Sequence, residues 1–406
     1  MYVLTSTGAA WQLERILLFP AQFYGVSQPF KQLVPENLAY LTSQQALADL
    51  NHFLYALPGL LRVNSIGKVV TVGGSYPGAL SAWARLRYPQ SVHAAWASSG
   101  PVQADYDFFG YMDVVAASLA DEAVGGSSQC VASLESAFSA IVAGVKSSDA
   151  STRSATVQPF CICDNYSAAP SSLDAANVIS TITNNIAYSV QYNEQLGAGL
   201  TVRDLCSVMG ATQGQQAVQA YNTWYMKTTF KGASDCPAQC VDSRYSALLA
   251  SQNVTSAQAE EAGVGVRSWY WQTCAEFSYF QTCEQNTACV FRGASALGGA
   301  VPMPYFTEVC TQDYAIPDVK TLVDATNEYF GGNSTVADRV VYTSGTVDPW
   351  HYLAVHHTIA PESPAVFIPG MSHCQDLHSE APSDTPQLKA GRQQAVQHIK
   401  QWLQEE

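Results

Sequence analysis

The chain has 406 residues, 47% of them apolar and only 13% charged, enough for a large buried core beneath a weakly charged surface. Its 33 acidic against 19 basic residues leave a formal charge of −14, which repels phosphate backbones and anionic lipid and argues against nucleic acid as a partner. No apolar run approaches the roughly 18 residues needed to cross a bilayer, so membrane insertion is not expected.

The opening stretch, MYVLTSTGAAWQLERILLFP, has no basic segment, no adequate apolar core and no small-residue cleavage site. It does not read as a signal peptide, and the expectation is that a preceding segment is missing. Glu36–Leu57 carries a helix opened by Thr42 or Ser43 as N-cap. Residues 68–73 (KVVTVG) form a β-branched run of the kind a buried parallel strand needs. Ala79–Arg87 then reads as helix, Tyr88-Pro89 ends it, and Val92–Val102 is a second apolar strand. Strand, helix, strand in this order is the βαβ unit of an α/β sheet.

From residue 104 to 263 strand signals give way to helical stretches rich in Ala, Ser and Gln, such as DVVAASLADEAV, with no internal period. Strand-like runs return at Arg339–Gly345 and Pro364–Gly370. The last segment, Gln387–Leu403, sets Leu388, Ala395, Ile399, Trp402 and Leu403 mostly on one helical face, which should pack back on the sheet. The predicted organisation is a sheet domain in two parts, 1–103 and 264–406, interrupted by a helical insertion over 104–263.

Eleven cysteines are many for a reducing compartment. The pairs Cys161/Cys163, Cys236/Cys240 and Cys283/Cys289 are spaced CxC, CxxxC and CxxxxxC, without a His-x3–5-His partner. They point to a disulfide framework of unreadable connectivity, with no metal and no cofactor. The count is odd, so at least one thiol is free or pairs between chains. Sequons at Asn165, Asn253 and Asn333 fit a secretory route as glycosylation sites.

In a doubly wound sheet, functional groups gather beyond the carboxyl ends of the strands. Ser75 follows the 68–73 strand in Gly73-Gly74-Ser75, Asp348 follows 339–345 in SGTVDPWH, and His373 follows 364–370 in PGMSHCQDL. Taken singly, each is an ordinary turn or loop residue. Taken together, they are a nucleophile, a carboxylate and an imidazole in the chain order that α/β-hydrolases use. The hydroxyl needs an imidazole to take its proton, and the imidazole needs a carboxylate to fix its tautomer. The tight strand-to-helix corner would project Ser75 and aim the Tyr76 backbone amide at a developing oxyanion. The corner departs from G-x-S-x-G, because Pro77 stands where glycine is wanted and Gly78 comes one place late. Other candidates have two readings each. Glu276 in QTCAEF either meets a substrate amine or is a hydrogen-bonded structural carboxylate. Trp350 either walls the pocket or packs in the core. Cys374, beside His373, is read as structural or free.

The stretches ENLAYLTSQQALADL, GGSYPGALSAWARLRYP, AAWASSGPV, WYWQTCAEFSYFQTCE, NEYFGG, DPWH and GMSHCQDL with APSDTPQLKAGRQ resemble the S28 family of serine peptidases. Its branches are lysosomal Pro-Xaa carboxypeptidase, dipeptidyl peptidase II and thymus-specific serine protease, and QTCAEF…TCE with SHC and SDTPQL looks most like the last. The resemblance implies an α/β-hydrolase domain with the helical insertion capping its active site. It implies Ser75 as nucleophile, His373 as general base and Asp348 as its orienter. It further implies cleavage near a peptide chain end after proline or a small residue, in lysosomes, endosomes or outside the cell. Peptides are the expected partners, with a homodimer as a further option. Two departures stand out. Pro20-Ala21-Gln22 replaces an acidic-His-Arg triplet of the family. The family's upstream strands and glycine-rich loop, a source of a second oxyanion donor, have no counterpart in residues 1–22. Losing such a donor costs roughly 10²–10³ in turnover, so this polypeptide taken literally is expected to be an impaired peptidase or a shortened reading of an active one. The alternatives are an esterase or lipase on the same fold and a non-catalytic peptide-binding remnant.

Overall fold

A computed structural model describes residues 1–5, 15–18, 21–163, 166, 168–197, 199–233, 235–256, 265–294 and 299–405. Two units emerge. One is assembled from Met1–Tyr106, Val254–Ser278 and Asp318–Glu406, the other from Asp107–Asn253 and Tyr279–Pro317.

The first unit is built on a six-stranded sheet of β1 (Tyr2–Thr5), β2 (Arg15–Leu18), β3 (Val69–Gly74), β4 (Ala94–Ser98), β5 (Val340–Gly345) and β6 (Ala365–Ile368), in the order β2-β1-β3-β4-β5-β6. Strands β3 to β6 run parallel, with Val72 beside Trp96, Ala97 beside Tyr342 and Thr343 beside Val366. Their carboxyl ends therefore share one edge. β1 lies antiparallel to both β3 and β2; these two short strands were not expected from the sequence.

Five helices of this unit matter for the site: α1 (Ser43–Leu61), α2 (Tyr76–Arg87), α3 (Val266–Gln272), α4 (Val319–Phe330) and α5 (Pro386–Gln404). Thr42 opens α1, its hydroxyl accepting from the Gln45 N–H, and Arg62 in the left-handed region closes it. The five residues expected on one face of α5 are all buried in a cluster with Val70, Val72, Ala94, Val341, Val366 and Ile368 from the sheet. Each large apolar side chain so buried contributes about 2 kcal/mol. α2 packs on β3 and β4, and Trp83 on its buried face stacks on Phe330 of α4 at 4.0 Å between ring centroids.

The second unit is helical. Ser128–Val145, Ser172–Gln191 and Gly214–Thr229 are its longest helices among the described residues. Phe138, Tyr221, Phe160 and Phe291 form a buried aromatic cluster. Disulfides Cys130–Cys206, Cys161–Cys236, Cys163–Cys240 and Cys283–Cys289 lie within it. The second and third form a double staple, joining the CxC pair to the CxxxC pair. Ser128–Val145 is long and apolar enough to cross a membrane by length and composition. Here its Leu134, Phe138, Ile141, Val142 and Val145 are buried and its Cys130 is tied to Cys206, as in a core helix. Among the proposed glycosylation sites, Asn253 is exposed, Asn333 is half-buried, and Asn165 lies outside the described residues.

Candidate active site

The chain leaves β3 through Gly73-Gly74 and enters α2 at Tyr76, so Ser75 must turn the backbone within one residue. It does so at φ 61°, ψ −135°, a combination that costs a non-glycine residue on the order of 1–3 kcal/mol. Local bonds hold the corner: the Ser75 N–H donates to Ser98 C=O at 2.9 Å, and its C=O accepts from Gly78 and Ala79. The late glycine is explained by packing. A Cβ on Gly78 would lie 2.6 Å from the Ser98 carbonyl oxygen of β4, so the close helix-to-strand approach falls there and not at residue 77. Pro77 is tolerated because it sits in the first helical turn, where an N–H has no intrahelical acceptor. The Tyr76 N–H lies in that same turn, at the positive end of the helix dipole.

Asp348 is fully buried just beyond β5, and its Oδ1 accepts from the Trp350 N–H at 3.1 Å. The same oxygen is 2.8 Å from Nδ1 of the buried His373, which follows β6. That bond places the imidazole hydrogen on Nδ1 and makes Nε2 the basic nitrogen. Burial, the largest influence on His373, pushes its pKa down. Cys374 and Asp348 outweigh it, and the imidazole is held well above its ordinary value.

The loops bearing Ser75 and His373 meet. Gly74 faces the Cys374 side chain so closely that a Cβ would lie 2.8 Å from Sγ. The Cys374 N–H donates to Ser99 Oγ at 2.9 Å, one residue beyond the Ser98 that holds Ser75. Beneath them, the buried Asp376 carboxyl accepts from Ser98 Oγ and Thr343 Oγ1, while its C=O accepts from Arg392 of α5. Burial raises the Asp376 pKa. Ser75, Asp348 and His373 thus stand beyond the carboxyl ends of β3, β5 and β6. Ser75 also lines a cavity of about 410 Å³ with Tyr76, Pro77, Leu80, Leu47, Tyr24 and Trp269 among its mostly apolar walls.

The remaining candidates are placed as follows. Trp350 is buried with its ring 6.1 Å from that of His373 and is not among the residues lining the Ser75 cavity. Cys374 is the free cysteine among the described residues and is half-buried. Glu276 is buried, and both its oxygens are engaged: Oε1 accepts from the Ser43 N–H at 2.8 Å, Oε2 from Ser43 Oγ and from Gln272 Nε2. Sequence reasoning missed Tyr24, Ser43, Gln272 and Asp376. Gln272 and Glu276 are four residues apart in WYWQTCAEF, but the other partners come from segments with no common signal.

Residues 15–395 match the family described as Serine carboxypeptidase S28. The chain is 34% identical over 386 residues to Thymus-specific serine protease of Mus musculus, covering 95% of this chain and 73% of that one. Against the Homo sapiens protein of the same name the identity is 33%, covering 94% and 72%. Lysosomal Pro-X carboxypeptidase of Bos taurus is 24% identical, covering 98% and 77%.

Proposed function

Given that the chain belongs to the serine carboxypeptidase S28 family and is thereby a serine-type peptidase, we propose that it trims peptides near a chain end, after proline or a small residue, through Ser75, His373 and Asp348. The observation that carries this reading is the buried Asp348–His373 bond on the sheet edge where the strained Ser75 corner also lies. Ser75 Oγ attacks the scissile carbonyl carbon while His373 Nε2 takes its proton, and Asp348 stabilises the imidazolium. The carbonyl oxygen, now an anion, receives the Tyr76 N–H at the start of α2. Collapse breaks the C–N bond, the amine leaves with the proton from His373, and water repeats the sequence to release the acid. The apolar cavity beside Ser75 suits the side chain that precedes the cut. A relative named for Pro-X cleavage supports proline there. The disulfides fit an oxidising compartment, and we place the protein in lysosomes or outside the cell.

A fluorophosphonate probe should label Ser75 in the folded protein, and Ser75→Ala should abolish both labelling and turnover of Xaa-Pro peptides. Peptides blocked at one or the other end then identify which end is trimmed. Turnover retained in Ser75→Ala would overturn the nucleophile assignment. Rapid ester hydrolysis with no peptide cleavage would replace the peptidase reading by an esterase.

A further inference from the structure

Beneath the corner that presents Ser75 lies a buried polar cluster that the reaction above does not use. The Tyr76 hydroxyl is 3.0 Å from Ser43 Oγ and accepts from Gln272 Nε2 at 2.9 Å. Gln272 Nε2 also donates to Glu276 Oε2 at 2.8 Å, and Gln272 Oε1 accepts from the Tyr24 hydroxyl at 2.5 Å. Glu276 lies in a wider π-turn, Thr273–Phe277, that follows α3 and in which the Ser278 N–H bonds to the Thr273 C=O five residues back. Such turns reset the direction of the side chains they carry.

We propose that Glu276 is a positioning residue for the Ser75 corner: through Ser43 and Gln272 it fixes the Tyr76 side chain, and thereby the Tyr76 amide and the Tyr76 and Tyr24 walls of the adjoining cavity. This rests on Ser75 being the nucleophile.

The hydrogen-bond directions give the reason. With Glu276 ionised, the Ser43 N–H and O–H and one Gln272 hydrogen all point at its carboxylate. The Tyr76 O–H then donates to Ser43 Oγ, and the second Gln272 hydrogen goes to the Tyr76 oxygen. Every hydrogen has an acceptor. A protonated Glu276 donating to Ser43 reverses the Ser43 hydroxyl toward Tyr76, and the Tyr76 hydrogen then has no acceptor within the cluster. The Tyr76 ring is further held at 5.2 Å from Phe277 and 5.9 Å from Trp269, between centroids. The groups facing the carboxylate are Ser43 of α1, Tyr76 of α2 and Gln272 of α3. Tyr76 alone of these titrates, and no lysine, arginine or histidine pairs with Glu276 among the described residues. Burial pushes the Glu276 pKa up to about 7, so its ionisation falls where the enzyme's activity can report it.

The test compares Glu276→Gln, Tyr76→Phe and the double variant, with rates expressed per active site titrated by the fluorophosphonate. In Glu276→Gln the new NH2 must face either the Ser43 N–H or the Gln272 NH2, so a donor that holds the Tyr76 side chain loses its acceptor and the cluster loosens. Expected is a fall in kcat of about 10- to 100-fold with a smaller change in KM, since a displaced oxyanion donor weakens the transition state most. The double variant should be no slower than Glu276→Gln alone, because both act through one link. The wild-type pH profile should carry an ionisation near 7 that Glu276→Gln lacks. Wild-type kcat per titrated site in Glu276→Gln, or in Tyr76→Phe should the former fail to fold, overturns the proposal, as do additive losses in the double variant. Ser75→Ala separates the two levels: if it keeps its activity, the nucleophile reading fails, whatever Glu276 does.

Discussion

Cys374 touches both halves of the proposed machinery, backing onto Gly74 on one side and following His373 on the other. It contributes to holding the imidazole well above its ordinary value. His373 must be unprotonated to receive the Ser75 proton, so activity should rise with pH through the His373 ionisation. Cys374→Ser removes one of the two influences that oppose burial. The acid limb of the kcat/KM profile should therefore move to lower pH while the plateau is retained; a limb that stays in place, or moves up, contradicts the assignment. The triad candidates were legible in the sequence because each lies within three residues of the end of a strand-like run, and order along the chain is one-dimensional information. The Glu276 cluster was not. Its partners at 24, 43, 76 and 272 come together only through packing, and the sequence marks Ser43 only as a candidate helix cap.

Among the elements, β3 to β6 and α5 begin and end within a few residues of expectation, since apolar runs bounded by turn residues are local signals. β1 and β2, at four residues each, are too short for a period to be read. That Tyr279–Pro317 falls in the helical unit, although 264–406 was expected to be sheet domain throughout, is likewise a tertiary fact with no compositional mark. The Ser75 corner shows how an imperfect motif still works, because its close approach to β4 falls at Gly78. Gly78→Ala would set a Cβ 2.6 Å from a backbone oxygen that cannot move aside. The expected cost is about 1–3 kcal/mol, read as a lower urea midpoint. Any tilt of α2 that relieves the clash should also lower kcat by roughly 10²-fold through displacement of the corner. An unchanged midpoint and kcat would show that the contact is not limiting.

For the molecule as a whole, the buried titratable groups of the site point one way. Glu276 is raised to about 7 from 4.5, and Asp376 and His373 are raised as well, so these three groups hold more protons in the folded state than in the unfolded chain, while burial lowers His93, His351 and His398 in the opposite sense. By linkage, the stability those three site groups contribute falls as pH rises. The Glu276 contribution is complete below about 4.5 and lost through about 7, worth about 3 kcal/mol at most. The opposite case is Asp149, Asp204, Asp318 and Asp384, whose depressed pKa values withdraw stability once pH drops below the ordinary carboxylate range. The formal charge of −14 adds self-repulsion that eases on acidification. The urea midpoint should therefore be highest in mildly acidic buffer, between about pH 4.5 and 6, and decline toward pH 8. A midpoint that climbs steadily to pH 8 would show that the buried groups do not dominate.

The sheet order has a bearing on biosynthesis. Ser75 is made well before its proposed partners, which arrive on β5, β6 and their loops, and α5, made after them, closes the core behind them. A nascent chain on the ribosome thus holds a hydroxyl with no base to arm it. Proteolytic competence would come only once β5, β6 and α5 have emerged and packed, which spares the translation apparatus from its own product.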